Sequence, residues 1–290
     1  MLEHDNLTLK INLKISIINK MQDSGLKRNT LDKFYTKPQL VDDCINNISK
    51  FIIIDKKNDI VIEPSAGDGS FINSIKNICE NTMFYDILPE HTEILKQDYL
   101  KTDLSQFNRK IHVMGNPPFG RQSSLAIKFI KHSCNYCESI SFILPKSFKK
   151  DSLKKKFPPR FHCIYEYDVP KDSFLLNKED YDVPCVFQIW LKKEFDREIP
   201  IKLKPHGYTF VKKKDNHDIS FRRVGVNAGN ISRETADKSE QSHYFIKFDN
   251  LLDDNLFQKI NKINFTKSSH TVGPKSISKQ ELIKEFSKIF

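Results

Sequence analysis

The sequence predicts an α/β fold built on a seven-stranded, mostly parallel, doubly wound sheet of the Rossmann-like kind. Short apolar runs typical of buried strands alternate with amphipathic segments that have helical spacing. Two of these strands lead into distinctive turns, a Gly-x-Gly corner after Glu63 and a stiff Asn-Pro-Pro-Phe loop after Gly115. Because ligands of such sheets bind outside the carboxyl ends of the strands, both turns are expected at a binding site.

The elements are predicted in a regular order along the chain. Pro38 lies where the first turn of a helix is expected, and Leu40, Val41, Cys44, Ile45 and Ile48 form its apolar face. Further helices are expected from about Ser70 and from Ser123 or Ser124. Strands are predicted at residues 59–63, 82–86, 94–97, 111–115, 139–144, 161–167 and 183–191. Since no helical pattern separates the last two strands, an antiparallel hairpin is expected at one edge.

Composition favours a globular protein with a polyanionic partner. The chain has 290 residues, of which 38% are hydrophobic and 29% charged, with a net charge of +10. The excess of lysine is typical of proteins that contact nucleic acid, although an AT-rich genome also enriches lysine. No apolar run approaches the roughly 18 residues that a membrane span needs, and no secretory signal is recognisable. We therefore expect a cytoplasmic or, in a eukaryote, nuclear protein that is not secreted.

The six cysteines do not form a disulfide framework, which is consistent with a reducing compartment. Cys134 and Cys137 make one Cys-x-x-Cys pair, but no second pair of zinc ligands follows it. Structural thiols and no metal site are therefore expected.

Three predicted strands lead into acidic residues, namely Glu63, Asp86 and Asp98. The glycines after Glu63 allow a ligand to approach the backbone closely. The corner is neither a Walker loop nor a complete dinucleotide motif, and its acid favours a ligand with a cationic or amine-bearing part. Asp86 stands about 20 residues beyond the glycine turn, where α/β sites bind ribose hydroxyls.

The loop Asn116-Pro117-Pro118-Phe119 combines an amide, a rigid turn and a flat ring. These groups suit the recognition of the exocyclic amine of a nucleobase. The alternative is an ordinary strand-to-helix turn, since Asn-Pro is common in turns.

Lysines are concentrated after the fifth predicted strand, where Asp151 is the only acid. This segment contains Lys146, Lys149, Lys150, Lys154, Lys155, Lys156 and Arg160. Either it is a solvated helix or it follows the phosphate backbone of a nucleic acid, and its position after a strand end favours the second interpretation.

Three regions are predicted along the chain. Residues 1–30 are expected to form an N-terminal arm, residues 31–193 the main α/β domain, and residues 194–290 a small β-rich C-terminal domain considered for nucleic-acid recognition. Strand-like segments in the last region lie at 207–211, 219–221 and 244–248, and a capped final helix is expected over 282–290.

The order of these motifs resembles that of the S-adenosylmethionine-dependent adenine-N6 DNA methyltransferases of restriction–modification type. The matching signatures are Phe34-Tyr35-Thr36-Lys37-Pro38, Glu63 to Phe71, Asp86, Asp98-Tyr99-Leu100 and Asn116-Pro117-Pro118-Phe119. The resemblance covers residues 34–191 and implies a class I methyltransferase fold, S-adenosylmethionine as cofactor and DNA as partner. Phe119 is also frequent among RNA adenine methyltransferases, so RNA stays an alternative. Protein glutamine methylation and an inactive scaffold are two others.

The resemblance also implies roles for individual residues. The catalytic set is Asn116, Pro117, Pro118 and Phe119. The cofactor set is Phe34, Tyr35, Thr36, Glu63, Ser65, Gly67, Asp86, Ile87, Asp98, Tyr99 and Asn116. The substrate set is Phe119, Phe174, Lys146, Lys149 and Arg121, with Tyr181 offered beside Phe174 as a second stacking ring. A partner protein or a dimer is considered for specificity, because residues 194–290 are shorter than a typical target-recognition domain.

Overall fold

The computed structural model describes residues 34–176 and 178–290, apart from the Lys267 side chain, so the expected arm at residues 1–30 lies outside the described part. The strands of this part are β1 Tyr35–Thr36, β2 Ile60–Glu63, β3 Thr82–Asp86, β4 Leu95–Lys96, β5 Ile111–Gly115, β6 Ser139–Pro145, β7 Phe161–Asp168, β8 Phe174–Leu176, β9 Glu179–Tyr181, β10 Cys185–Lys192, β11 Tyr208–Val211, β12 Ile219–Arg222, β13 Ile231–Ser232 and β14 His243–Phe248. The α-helices are α1 Pro38–Phe51, α2 Ile72–Ile78, α3 Ser124–Ser133, α4 Asp151–Lys154, α5 Asp254–Asn261 and α6 Lys279–Phe286.

The central sheet has seven strands in the order β4-β3-β2-β5-β6-β10-β7. Neighbouring strands from β4 to β6 are parallel, whereas β10 is antiparallel to both β6 and β7. The expected fold class is therefore confirmed, as is the antiparallel pairing of the last two strands. Strand order reverses between β2 and β5, which is the position where open α/β sheets bind ligands.

Helices cover both faces of this sheet, as a doubly wound fold requires. Val61 belongs to the apolar cluster that contains the buried face of α1, whereas its neighbours Ile60 and Ile62 belong to the cluster that contains α3. Successive residues of a strand point to opposite faces, so the two clusters lie on opposite sides of the sheet. The predicted apolar face of α1 is buried at all five positions. No helix within the described ranges is long and apolar enough to cross a membrane.

The C-terminal region contains a second, antiparallel sheet in the order β11-β14-β12-β13. Its own apolar cluster includes Phe221 and Ile246 from the sheet and Leu282 and Phe286 from α6. Helix α6 begins with the expected capping box, in which Ser278 and Glu281 bond reciprocally. The helix ends at Phe286, before the predicted end at residue 290. Residues 34–290 form one compact unit, in which no boundary at residue 194 is marked. A separate domain beginning there therefore stays a prediction.

Candidate active site

The glycine-rich corner and the Asn-Pro-Pro-Phe loop lie side by side where the strand order reverses. The hydroxyl of Ser65, just after β2, donates a hydrogen bond of 3.3 Å to the carbonyl oxygen of Asn116, just after β5. Parallel strands end at the same edge, which is why two motifs 51 residues apart in sequence meet here. The structure thus brings the predicted cofactor and catalytic motifs together.

Asp86 at the end of β3 holds the glycine corner in place. Its carboxylate accepts hydrogen bonds from the backbone amides of Gly67 at 2.9 Å and Leu88 at 2.8 Å. Gly67 has a φ of +54°, a conformation that favours glycine. Ile87, the next residue, exposes its apolar side chain beside the carboxylate. The sequence predicted a ligand contact for Asp86 but gave no sign of this supporting role.

Glu63 is a buried carboxyl group next to Gly115, the residue that precedes the Asn-Pro-Pro-Phe loop. Its side chain is 2% exposed, and Oε2 has no hydrogen-bond partner among the described residues. It fits there because Gly115, with a φ of +135°, has no side chain. A Cβ on Gly115 would lie 3.0 Å from Glu63 Cγ. Burial raises the pKa of Glu63 well above its ordinary value, and the charges of Asp68 and Asp86 raise it further.

The side-chain amide of Asn116 has a defined orientation. Its Nδ2 donates to the Thr36 hydroxyl at 3.3 Å and to the Phe34 carbonyl oxygen at 3.5 Å. The Phe34 carbonyl can only accept, so the amide nitrogen must face β1. Asn116 Oδ1 is buried and has no hydrogen-bond partner in the described part of the chain. The amide is therefore left with one acceptor for an additional donor.

Two prolines follow Asn116. Pro117 is buried and Pro118 is half-buried. Proline restricts φ, so these residues limit the backbone conformations available to the loop. Asn116 and Phe119 are thereby held on a stiff segment, as the sequence predicted.

A small sheet that the sequence did not predict supports β1. Thr36 pairs with Phe174 and Tyr35 with Leu175 in an antiparallel arrangement, and β9 completes a sheet of order β1-β8-β9. Lys37 Nζ also lies 2.6 Å from an Asp180 carboxylate oxygen. Strands of two or three residues are too short for a periodic pattern, so only the folded chain reveals them.

Aromatic rings lie next to Asn116. Phe119 is 8% exposed, and its ring centroid is 6.4 Å from that of Phe34. The ring of Tyr181, on β9, stacks on Phe34 with centroids 5.3 Å apart and is 36% exposed. Phe174 is only 1% exposed and packs in the core, so its predicted contact with substrate requires correction. Of the two predicted stacking rings, Phe174 on β8 and Tyr181 on β9, only Tyr181 is accessible.

The predicted cofactor contacts after β4, Asp98 and Tyr99, are only partly accessible. The Asp98 side chain accepts a hydrogen bond from the amide of Leu100 at 3.1 Å and is half-buried. Tyr99 is 1% exposed, and its hydroxyl lies 2.9 Å from Ser133 Oγ on α3. The ring therefore belongs to the core, which restricts any contact of Tyr99 with a ligand to its backbone.

Tyr35 lies beside the glycine corner. A Cβ added to Gly67 would be 4.0 Å from Tyr35 Cε1. The Tyr35 hydroxyl donates a hydrogen bond of 2.7 Å to Glu90. Burial and this hydrogen bond raise the pKa of Tyr35 to about 12, so the phenol is a hydrogen-bond donor at neutral pH.

The lysines after β6 are compensated by acids that are distant in sequence. Lys146 and Lys149 lie 3.5 Å and 2.9 Å from carboxylate oxygens of Asp168. Lys150 pairs with Glu281 at 3.3 Å, and Lys154 pairs with Glu166 at 2.8 Å. The segment forms a turn at Lys146–Lys149 and the short helix α4, and much of its charge is neutralised. The phosphate contact expected of Lys146 and Lys149 stays a prediction.

Arg121 is exposed two residues after Phe119, the last residue of the Asn-Pro-Pro-Phe loop. The two residues that follow it, Gln122 and Ser123, both have left-handed backbones, with φ of 52° and 61°. Such conformations cost about 1–3 kcal/mol each and are concentrated at functional sites. The predicted substrate contact of Arg121 is compatible with this exposed position.

Metal-binding geometry is absent from the described residues, where no group of three or more His, Cys, Asp or Glu side chains is arranged to hold an ion. Cys134 and Cys137 are free thiols, and Cys137 is buried. Burial raises the pKa of both thiols, which suits a structural role.

No protein-family profile matches the chain, and no curated protein sequence matches it. Among solved structures it is similar to a protein from Pyrococcus horikoshii proposed to be an RNA methyltransferase, with 14% identity, a TM-score of 0.46 and coverage of 58% of this chain and 93% of that one. It is also similar to the N-methyltransferase NodS from Bradyrhizobium japonicum, solved with S-adenosyl-L-homocysteine. The identity is 9%, the TM-score is 0.40, and the match covers 57% of this chain and 91% of NodS. A third similar structure is the methyltransferase subunit of a type I restriction–modification system from Streptococcus thermophilus. The identity is 14%, the TM-score is 0.41, and the match covers 58% of this chain and 46% of that subunit. At these scores no residue role is transferred from them to this chain.

Proposed function

We propose that this chain transfers a methyl group from S-adenosylmethionine to the exocyclic N6 amine of adenine in DNA. The observation that carries the proposal is the Asn116 amide, whose nitrogen is bonded to β1 and whose buried Oδ1 has no partner in the described chain. A buried acceptor without a partner costs about 1–3 kcal/mol, so a donor that reaches it binds favourably. An amine N–H is such a donor.

The residues around the glycine corner fit the proposed cofactor. The charges of Asp68 and Asp86 act on Glu63, and Glu63 Oε2 has no partner among the described residues, which suits a ligand with a sulfonium and an ammonium group. Asp86, which anchors the Gly67 amide, is proposed to accept hydrogen bonds from the ribose hydroxyls, and exposed Ile87 is proposed to contact the flat base. The residues proposed to hold the cofactor are Phe34, Tyr35, Thr36, Glu63, Ser65, Gly67, Asp86, Ile87, Asp98, Asn116 and the backbone of Tyr99.

Asn116 and Pro117 are proposed to activate the amine. Adenine N6 is a poor nucleophile because its lone pair is delocalised into the ring. Hydrogen bonds from N6–H to Asn116 Oδ1 and to the Pro117 carbonyl favour a pyramidal nitrogen with a localised lone pair. These bonds strengthen as positive charge develops on N6, so they stabilise the transition state more than the ground state.

The bound cofactor supplies an electrophilic methyl group on a positively charged sulfur. As the N6–carbon bond forms, the carbon–sulfur bond breaks and its electron pair stays on sulfur. N6 then loses one proton to solvent, and Asn116 orients the amine throughout without itself taking the proton. Holding amine and methyl group in line provides much of the acceleration, because the reaction is then effectively unimolecular.

Phe119 and Tyr181 are proposed to stack on the target base. A base–aromatic stack contributes about 1–3 kcal/mol. Phe119 is 8% exposed, and the centroid of the Phe34 ring lies 6.4 Å from its own, so a base can stack on Phe119 only if neighbouring groups such as Phe34 move. In duplex DNA the adenine must also be flipped out of the helix before it reaches Asn116.

RNA is the second candidate substrate, favoured by Phe119 in place of tyrosine in the loop. Positive charge does not separate the two polymers, because phosphate contacts carry little information about the sugar. The proposed chemistry at N6 is the same for both.

The test is methyl incorporation from isotopically labelled S-adenosylmethionine into duplex DNA, structured RNA and a glutamine-containing peptide. We expect label in DNA, at adenine N6, and a rate of labelling lower by about 10²–10³-fold with Asn116→Ala. Label in RNA alone, or in the peptide alone, contradicts the proposed substrate. Sequencing methylated adenines in DNA from cells that express the wild-type chain or Asn116→Ala would define the sites.

A further inference from the structure

The lysine turn after β6 is connected directly to the C-terminal region. Lys150 Nζ donates a hydrogen bond of 2.7 Å to the Ser276 carbonyl oxygen. Ser276 forms an isolated β-bridge with Val224, and the Gly225 amide donates to the Lys275 carbonyl at 2.9 Å. The loop between β12 and β13 is therefore linked to the segment before α6, and that segment to the carboxyl end of β6. The C-terminal region thus adjoins the edge of the sheet that carries Asn116.

The three connected segments, residues 146–160, 222–230 and 266–280, contain many basic residues and a single acid, Asp151. Acids from other elements pair with four lysines of the first segment. In the other two segments, by contrast with those four lysines, four cations form no ion pair with any residue that the structure describes. This basic cluster consists of Arg222, Arg223, Lys275 and Lys279.

Aromatic rings and carbonyl groups hold three members of the basic cluster. The Arg223 guanidinium lies 5.6 Å from the centroid of the Tyr244 ring and donates to the Gln241 carbonyl at 2.7 Å. Lys279 Nζ lies 4.5 Å from the centroid of Phe210. Arg222 Nε donates to the Val224 carbonyl at 3.2 Å. Rings and carbonyls orient a cation without cancelling its charge, so this surface stays positive.

Lys275 and Lys279 are exposed, and both arginines are partly exposed. Each arginine has further N–H groups beyond those bonded to carbonyl oxygens, since a guanidinium has five donors. A positive surface of this kind, with arginine and lysine beside aromatic rings, is complementary to phosphodiester groups.

We infer that the basic cluster binds the phosphate backbone of the nucleic acid whose adenine is methylated. This inference rests on the proposed function and assigns a role to the C-terminal region. Phosphate contacts fix the position and orientation of a duplex without reading its sequence. The cluster would therefore position the polymer relative to Asn116, while specificity for a sequence comes from other contacts.

The test compares two double charge reversals that change the net charge equally. Lys275→Glu with Lys279→Glu removes two exposed cations of the cluster, and an acidic side chain at the first residue of α6 is compatible with the helix dipole. The control is Lys57→Glu with Lys110→Glu, both exposed near the amino-terminal ends of β2 and β5 at the opposite edge of the sheet. Lys275→Glu alone serves as a milder variant in an exposed loop. Calorimetric cofactor binding reports whether each variant is folded.

Binding of a labelled duplex DNA and a matching duplex RNA is measured by fluorescence anisotropy over a range of salt concentrations. For the cluster variant we expect about tenfold weaker binding or more, and a log–log salt slope that is less steep by about 2. For the control we expect the wild-type slope.

Equal losses in the two double variants, or no loss in the cluster variant, overturn the inference. If the wild type methylates nucleic acid but the cluster variant binds it normally, only the inference fails. If the wild type neither binds nor methylates nucleic acid, the proposed function fails first. Binding of RNA alone retains the surface and contradicts DNA as the substrate.

Discussion

The two halves of the carboxyl-terminal edge of the central sheet have opposite charge. On one side of β5, the strands lead to Glu63, Asp86 and Asp98. On the other side, β6 leads into Lys146 and the lysines that follow it. Asn116 lies at the boundary between these halves. In the proposed reaction a cationic cofactor occupies the acidic half, a polyanion approaches from the basic half, and the methyl group crosses between them.

The two halves also differ in how their charges are compensated. Glu63 is buried without a hydrogen-bond partner for Oε2 in the described chain, whereas Lys146 and Lys149 share Asp168. The acidic half therefore gains the most from a cationic ligand. Arg222, Arg223, Lys275 and Lys279 of the C-terminal region form no ion pair with the described residues.

Replacing Asn116, the residue at the boundary, should lower turnover more than any other change considered. Asn116→Ala deletes the acceptor for the amine, and loss of one such transition-state hydrogen bond lowers turnover by about 10²–10³-fold. Cofactor affinity should fall much less than turnover, because Asn116 is only one of the residues proposed to hold the cofactor and the acidic half is untouched. Single-turnover rates and calorimetric cofactor binding check both points. Wild-type turnover in Asn116→Ala would refute the mechanism, and Asn58→Ala, at the opposite edge, is the matched control.

Asp86→Ala should weaken the acidic half without altering the boundary. The carboxylate accepts one backbone hydrogen bond from Gly67 at the glycine corner and another from Leu88. Hydrogen bonds to charged groups contribute about 1.5–3 kcal/mol each, so cofactor affinity should fall by roughly 10- to 100-fold. Turnover at saturating cofactor should stay close to wild type. Asp86→Asn keeps one acceptor oxygen, so its cofactor affinity should lie between those of the wild type and Asp86→Ala. A loss of turnover without a loss of cofactor affinity in either variant would contradict a role of Asp86 in cofactor binding.

Glu63 should make cofactor affinity depend on pH. Burial raises its pKa well above the ordinary value of 4.5, so the carboxyl group stays protonated as pH rises above 4.5. A cationic ligand favours the carboxylate, and binding should therefore strengthen with pH by up to about tenfold per pH unit until the raised pKa is reached. Titration calorimetry at several pH values should show this slope in the wild type and its absence in Glu63→Gln.

The same group should have the opposite effect on stability without ligand. Between pH 4.5 and the raised pKa, the folded chain binds more protons at Glu63 than the unfolded chain does. The free energy of unfolding contributed by Glu63 therefore decreases as pH rises through this window. Glu63→Gln should remove this decrease, as measured by denaturant unfolding at several pH values. A wild-type slope retained in Glu63→Gln would assign the effect to another group.

Thr36→Val should have the smallest effect. Valine has nearly the same shape but cannot accept the hydrogen bond from Asn116 Nδ2. A neutral hydrogen bond contributes about 0.5–1.5 kcal/mol, so turnover should fall roughly 3- to 10-fold as the amide becomes free to rotate. Thr36→Ser should restore most of the rate. Equal turnover in Thr36→Val and the wild type would show that the Phe34 carbonyl alone orients Asn116.

Local patterns predicted much of the fold. The bounds of β3 and β5 agree with the prediction, as do the buried face of α1 and the capping box of α6. These features depend on the spacing of apolar residues or on side chains within one turn, so a single stretch of sequence contains them. The relative order of the strands was not predictable in this way, because pairing depends on distant segments.

Three acids, a glycine corner and an amide on a stiff loop could be identified from the order of residues alone. Which of the predicted side chains are accessible depends on how the chain folds. Phe174 and Tyr99 are buried, Tyr181 is exposed, and four lysines are paired with acids remote in sequence. The physical reason is that burial and charge compensation arise between segments that meet only on folding. The orientation of Asn116, set by a two-residue strand 80 residues away, is the clearest case.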